Sequence, residues 1–285
     1  NRFRIARLFD QLPNSKAHSG NSHIIGQKRG GRDHNRRGNN RTDFLQNTES
    51  IQFRQQDIHH KNILLRIIFI FIINFQKFNV AEASAFHLDA ILHVGDIIAW
   101  GGCYSFWRNL YSNDHFKNHL WAGINGNHDN MDRTNKRNNK EFFRNTNNNP
   151  LNGYDSQEGV CYYFIYGDVL FIMLNNEAMH TDEGLAAAQK WVKKVIKRNK
   201  KQYVVVMEHY QWFYGTNGKT SHYNRWQKLF DECGVDLAIS GNNHVYARTN
   251  ALYNGVETDG NSGTVYIQTT SSDNERGQEL KEWTL

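Results

Sequence analysis

The chain has 285 residues, with 34 Lys and Arg against 28 Asp and Glu, a formal net charge of +6. That length holds one substantial core with appendages. The three cysteines, Cys103, Cys161 and Cys233, are odd in number and form no CxxC pair, which excludes a disulfide framework and a zinc ribbon and leaves them as buried free thiols.

The basic excess is local. Residues 1–56 carry 11 Lys and Arg and 4 Asp and Glu, and the remainder carries 23 against 24, so most of the chain is near neutral. Residues 1–50, rich in Asn, Arg, Gly and His, show neither helical nor strand periodicity and read as a disordered or non-native segment. Within it, Lys28 to Arg41 is expected to be a solvated tail, because no aromatic residue is interleaved to stack on bases. A contact to a nucleic-acid backbone is the alternative. No secretory signal follows Asn1-Arg2-Phe3-Arg4, although a leader removed or left out stays open, and with it export; the compartment is unassigned. The apolar run Ile63 to Phe75 is broken by Arg66 and Asn74. It falls short of the ~20 residues that span a bilayer, so a core element and no membrane partner are expected.

A domain is expected over residues 51–285, with 51–78 its least regular part. Val80 to His87 reads as a helix feeding a strand at Ala90. Residues 103–120 are loop and helix, with Phe106, Trp107, Leu110, Tyr111 and Phe116 as apolar contacts, and 132–150 is an Asn-rich surface loop. Val160 to Leu174 predicts a hairpin turning at Tyr166-Gly167-Asp168. Leu185, Ala188, Trp191, Val192, Val195 and Ile196 recur at helical spacing behind Asp182 as N-cap. A second helix around Trp226 to Cys233 and a last strand at Thr264 to Thr270 complete the pattern. Alternating strands and helices with one hairpin predict an α/β or α+β class with layered sheets.

Four apolar runs stop at polar residues capable of binding a metal. Ala90 to Val94 precedes Gly95-Asp96, and Leu120 to Asn125 precedes Gly126-Asn127-His128-Asp129. Tyr203 to Met207 precedes His209, and Asp236 to Ser240 precedes Gly241-Asn242-Asn243-His244. In open α/β sheets, ligands bind beyond the carboxyl ends of strands, so four such stops suggest one site built from distant segments. Taken singly, each has a plainer explanation. Asp96 could cap a helix, His209 could close a strand, and Asn127-His128 could be a turn. Those explanations must all hold together to defeat the shared one. Two divalent cations about 3.5–4 Å apart need a bridging carboxylate, for which Asp96 is the candidate. Asn127 offers an amide oxygen, and His209 and His244 offer imidazole nitrogens. Such a mixed set leaves the metals attractive to a phosphate anion, whereas an all-carboxylate cage would repel it.

Gly-Asp, Gly-Asn-His-Asp, a lone His after a Val-rich strand, then Gly-x-x-His, with successive spacings of 31, 82 and 35 residues from Asp96 through Asn127 and His209 to His244, resembles the calcineurin-like metallophosphoesterase superfamily. Val160 to His209 and the run Asn242 to Arg248 look most like its purple acid phosphatase branch. The resemblance covers residues 80–270 and implies a two-sheet mixed β-sandwich flanked by helices. It also implies two divalent metals (Mn, Fe or Zn) and a phosphate ester substrate attacked by a metal-bridging hydroxide. By the same resemblance His128 is the general acid and Asp129 orients its ring, while His222 contacts the phosphate.

Three positions depart from the family pattern. Asn242 stands where a metal-binding His is usual, and its harder oxygen donor favours Mn or Mg over Zn. Ala99 stands where purple acid phosphatases carry a Tyr, so no purple tyrosinate–iron(III) chromophore is expected. Asp57-Ile58-His59, 39 residues before Asp96, is the only match for the first motif, and the resemblance makes Asp57 and His59 first-metal ligands. A metal-dependent phosphohydrolase is therefore expected. The alternatives are a binding or vestigial relative with an incomplete first-metal site, and a nucleic-acid phosphodiesterase.

Overall fold

The computed structural model describes residues 67–69 in backbone, 90–117, 120–213, 218–244, 247–260 and 262–269, all within one compact unit. The expectations for residues 1–50, for Asp57 and His59, and for a helix at Val80 to His87 lie outside the described residues.

Two sheets carry the fold. Strands β1 (Ile67–Phe69), β2 (Ala90–His93) and β3 (Trp121–Gly123) form a parallel three-stranded sheet with β2 in the middle. The second sheet is six-stranded and mixed. It is built from β4 (Tyr162–Tyr166), β5 (Val169–Met173), β6 (Tyr203–Met207), β7 (Leu237–Ser240), β8 (Ala247–Arg248) and β11 (Val265–Gln268), in the order β4-β5-β6-β7-β11-β8. Its four central strands run parallel, while β4 and β8 are antiparallel edges. A small antiparallel ribbon, β9 (Leu252–Tyr253) with β10 (Val256–Glu257), is bridged through Leu252 to Thr264, just before β11. The hairpin expected at Tyr166-Gly167-Asp168 is the β4–β5 turn, with Gly167 at φ 56°.

Every residue of β5 is buried, as a strand covered on both faces must be. Leu170, Ile172, Val204 and Val206 pack with Ala188, Trp191, Val192 and Val195 of α4 (Asp182–Arg198) and Trp226 and Phe230 of α5 (Ser221–Cys233). A second cluster joins Ile91, Ile97, Phe143 and Val160 to Trp107 and Phe106 of α1 (Tyr104–Tyr111) and to Phe116 of α2 (Asp114–Lys117). The two sheets are tied by polar contacts. The Tyr162 hydroxyl donates to the Gly123 carbonyl (2.6 Å) and accepts from the Gly123 N–H (2.9 Å).

The structure corrects three local readings. Thr181, not Asp182, caps α4: its hydroxyl accepts the Gly184 N–H at 3.1 Å and its backbone is extended. Residues 132–150 are not wholly a surface loop, since α3 (Glu141–Thr146) lies within them and buries Phe143 completely. The later helix, expected around Trp226 to Cys233, starts at Ser221 with Thr220 as its cap, so His222 sits on its first turn. Gly234, in the left-handed conformation at φ 67°, ends it. The cysteines are free, with Cys103 and Cys161 buried and Cys233 half-buried. Among the described residues, no helix is long and apolar enough to cross a membrane.

Candidate metal centre

Strands β2, β3, β6 and β7 all end at the site, and glycines let their terminal loops meet. A side chain at Gly126 would place its Cβ 2.2 Å from Asp96 Oδ1, and one at Gly95 would lie 2.5 Å from the Gly126 nitrogen. Gly241 fits against Val94, 2.6 Å from where its Cβ would be, and its N–H donates to the His209 carbonyl at 3.0 Å. Asp96, Asn242 and His244 adopt left-handed backbone angles, φ 53°, 62° and 55°. Non-glycine residues hold such angles only where their surroundings enforce them, commonly at functional sites.

Three of the expected ligands converge. His209 Nε2 lies 3.2 Å from Asp96 Oδ2 and 3.3 Å from Asn127 Oδ1, and its Nδ1 lies 2.6 Å from the Val94 carbonyl oxygen. All three side chains are buried. Burial lowers the proton affinity of the His209 ring, but the Asp96 carboxylate more than offsets it and leaves the ring above its ordinary value. Burial raises the Asp96 carboxyl, and the His209 ring together with His128 pulls it below the usual range. Both ring nitrogens of His209 therefore face oxygen acceptors. Nδ1–H satisfies Val94, so Nε2 must carry a second proton or share a cation with Asp96 and Asn127. Donors about 2.1 Å from a common cation sit roughly 3 Å apart, which is the spacing found here. The residues fit a divalent metal. Among the described residues, no three His, Cys, Asp or Glu side chains form such a cluster by themselves; the amide of Asn127 completes this one.

The remaining candidates sit around that point. His244 is buried at the end of the Gly241 loop, joined to His209 through its first peptide. Asn242 is half-buried and donates its amide N–H to Gln211 Oε1 at 2.7 Å, which leaves its carbonyl oxygen for other use. His222 Nδ1 is 3.6 Å from Glu208 Oε1, and its ring lies 5.5 Å from that of Tyr210, which flanks His209. Burial, then Arg225 and His180, lowers the His222 ring to about 4, so it is neutral near pH 7.

The expected role of Asp129 is corrected. Its carboxylate does not hold the His128 ring. Oδ2 accepts the N–H groups of Asp96 (2.7 Å) and Gly126 (2.8 Å), and Oδ1 those of Ile97 (3.1 Å) and Ile98 (3.3 Å). Asp129 thus ties the β2 loop to the β3 loop. Its burial and the Asp96 charge push its carboxyl upward, against the amides that favour the charged form. The His128 ring is held instead by the Ala99 carbonyl, 2.9 Å from Nδ1, while the His128 backbone N–H donates to Asp96 Oδ1 at 2.8 Å.

Asn176 is a site residue that the motifs do not mark. Its Oδ1 accepts the N–H groups of His209 (2.6 Å) and Tyr210 (2.8 Å), and its Nδ2 donates to the fully buried Glu208 at 2.7 Å. Burial raises the Glu208 carboxyl well above the usual carboxylate range. Asn175, next to it, accepts from the Asn125 amide at 2.8 Å. The available signal was the one used elsewhere, polar residues directly after a buried apolar strand, here at Leu174-Asn175-Asn176.

A family model, Calcineurin-like phosphoesterase, matches residues 57–246. The chain belongs to the calcineurin-like phosphoesterase family. Its fold is that of a purple acid phosphatase from yellow lupin (Lupinus luteus) seeds, at 17% identity and TM-score 0.57, over 72% of this chain and 41% of that one. The chain thus spans well under half the length of that phosphatase. Its fold is also similar to that of GAP50, the anchor in the inner membrane complex of Plasmodium, at 14% identity and TM-score 0.57, over 78% of this chain and 76% of that one. No curated protein matches the sequence. The two-sheet α/β architecture and membership in a family of metal-dependent phosphoesterases agree with the motif reading.

Proposed function

We propose that this member of the family is a metal-dependent phosphohydrolase acting on a phosphate ester, with His128 as general acid. The observation that carries it is the convergence of Asp96 Oδ2, Asn127 Oδ1 and His209 Nε2 within 3.3 Å, with both His209 nitrogens facing oxygens. Asp96, Asn127 and His209 would hold one metal, with Asn242 as a further oxygen donor that favours Mn. His244 and Asp96 would hold the other with Asp57 and His59, and the start of the family match at residue 57 supports counting them. When bound, the metals supply Lewis-acid polarisation of the phosphate and an activated water.

The chain's own groups do the rest. The Ala99 carbonyl accepts a hydrogen bond from Nδ1–H of His128, which leaves Nε2 to deliver a proton to the departing alcohol oxygen. The ring keeps its Ala99 bond before and after transfer, so no reorientation is needed. His222, neutral beside Glu208, is the candidate donor to a phosphate oxygen.

The test is metal content together with hydrolysis of an aryl phosphate monoester and diester after reconstitution with Mn, Fe or Zn. Two metals per chain with activity lost in Asp96→Asn and His128→Ala is the expected result; unchanged activity in either variant overturns the assignment. The second reading is a binding or vestigial relative with an incomplete first-metal site, and Asn242 in place of a His would loosen the second metal as well. One metal or none, without turnover, would establish it. The nucleic-acid reading rested on residues 28–41, outside the described residues, and no described feature supports it.

A further inference from the structure

One amide oxygen clamps the main chain on both sides of the His209 ring. Asn176 Oδ1 accepts the N–H of His209 at 2.6 Å and that of Tyr210 at 2.8 Å. The His209 carbonyl accepts the Gly241 N–H at 3.0 Å, so both peptide planes that meet at the His209 Cα are tied. Each plane is rigid, and fixing both fixes φ and ψ, and with them the direction of the Cα–Cβ bond. Two side-chain torsions then remain, and the Val94 carbonyl, 2.6 Å from Nδ1, settles them. Nε2 is thereby delivered to Asp96 Oδ2 and Asn127 Oδ1.

The sense of the Asn176 amide is set by its neighbours. Two N–H donors on one side require its oxygen there, because the amide nitrogen only donates. Nδ2 is turned to Glu208, whose Oε2 accepts it at 2.7 Å. Asn176 is buried and held in turn from its own strand. Leu174 N–H donates to the Met207 carbonyl at 2.9 Å, and the Asn175 side chain accepts the Glu177 N–H at 3.2 Å. Glu208 is fully buried, and among the described residues its Oε1 has no hydrogen-bond partner, with His222 Nδ1 3.6 Å away. A carboxyl group taken out of water and half satisfied adds little to stability.

We propose that Asn176 is a positioning residue for the metal centre, fixing the backbone at His209 so that Nε2 meets Asp96 and Asn127, with Glu208 holding its amide in place. The proposal rests on the metal assignment above and deepens it. Neither Asn176 nor Glu208 is among the proposed ligands; both act through His209. Because Glu208 also faces His222, the candidate phosphate contact, metal affinity rather than hydrolysis is the quantity that reads this role.

The experiment is calorimetric titration with manganese(II), at a temperature where circular dichroism shows every variant folded. Asn176→Leu, similar in size but without a polar group, should weaken binding by about 10–100-fold, as disturbed supports of metal-bound imidazoles do. Thr181→Ala, which removes only the α4 cap, should lower the unfolding midpoint and leave the affinity in place. Glu208→Leu should add no more than about twofold to the Asn176→Leu loss, because both act along one path. Glu208→Gln should bind more tightly than Glu208→Leu, since both remove the carboxyl and only Gln keeps an oxygen facing Asn176. An Asn176→Leu loss below about tenfold, an equal loss in Thr181→Ala, or additive losses at positions 176 and 208 overturns the proposal. Equal binding by the two Glu208 variants does the same. Should Asn176→Leu not fold, Asn176→Ser, whose hydroxyl is one bond short of the two N–H groups, must show a loss of the same size.

If the wild-type chain binds no manganese, the phosphohydrolase reading fails by itself and a second measurement decides the positioning role. The His209 Nδ1–H proton resonance, assigned by its loss in His209→Asn, should be present in the wild-type chain and lost in Asn176→Leu. Its absence from the wild type, or its persistence in the variant, overturns the proposal.

Discussion

His209 and Val94 are 115 residues apart in sequence, and the ring Nδ1 of one lies 2.6 Å from the carbonyl oxygen of the other. This bond joins the end of β6 to the end of β2. It also decides the tautomer of the ring, because a carbonyl can only accept. The nitrogen that faces Asp96 and Asn127 is therefore the one that would serve the proposed metal, oriented by a neighbouring main-chain group as metal-bound imidazoles usually are.

Replacing His209 tests both functions of the ring. His209→Ala should lower metal affinity by at least about 10–100-fold, the range for disturbing a metal's ligand environment. It should also lower the unfolding midpoint, because the Val94 carbonyl is left buried and unpaired. Metal titration by calorimetry and thermal unfolding with chelator present separate the two effects. A variant that keeps full metal affinity would remove His209 from the site.

Asp129→Asn separates a structural from a catalytic role. An amide offers one acceptor where the carboxylate serves four N–H groups. The variant should lose about 3 kcal/mol of stability, consistent with buried amides left unsatisfied. If Asp129 acted only by orienting His128, the substitution would reduce kcat and leave the denaturation midpoint in place. Urea unfolding beside a kcat measurement decides between them.

Gly126→Ala should disturb the centre with little change in chemistry. Its new Cβ would fall 2.2 Å from Asp96 Oδ1, so the carboxylate or the β3 loop must move. Overpacking of this kind costs about 1–3 kcal/mol, and here it should act mainly on metal retention. Metal content after gel filtration would read it directly; wild-type content would contradict the close loop approach.

Acid stability should depend on His93. The ring is buried between Trp121 and Phe143, with Nδ1 accepting from the Gly95 N–H at 3.4 Å. Burial, then the nearby His209, lowers it from 6.5 to about 3. Above pH 6.5 the ring is neutral in both the folded and unfolded chain. Below that, only the unfolded chain takes up the proton, so stability falls as pH drops until the folded ring itself titrates near 3. The slope from this group approaches about 1.4 kcal/mol per pH unit. His93→Phe should flatten the decline, which urea midpoints at pH 7, 6, 5 and 4 would show. An unchanged slope would place the acid sensitivity elsewhere.

Much of the fold was readable along the chain. Strand-length apolar runs ending in Gly-Asp, Gly-Asn-His-Asp or Gly-x-x-His mark where buried strands stop, because period and turn chemistry are local properties. The hairpin at Gly167 and both long helices were legible for the same reason. The cap at Thr181 and the buried turn around Phe143 were not, since each depends on which neighbour the chain meets.

The order of Asp96, Asn127, His128, His209 and His244 behind four strands, and hence the family, was determined by the sequence alone. Only the tertiary structure decided how those residues are held. It assigned Asp129 to four backbone amides, gave His128 to the carbonyl of Ala99, and brought Asn176 under His209. Apart from the Gly126 bond to Asp129, these contacts span 29 or more residues, set by how two sheets pack, and no local periodicity carries that information.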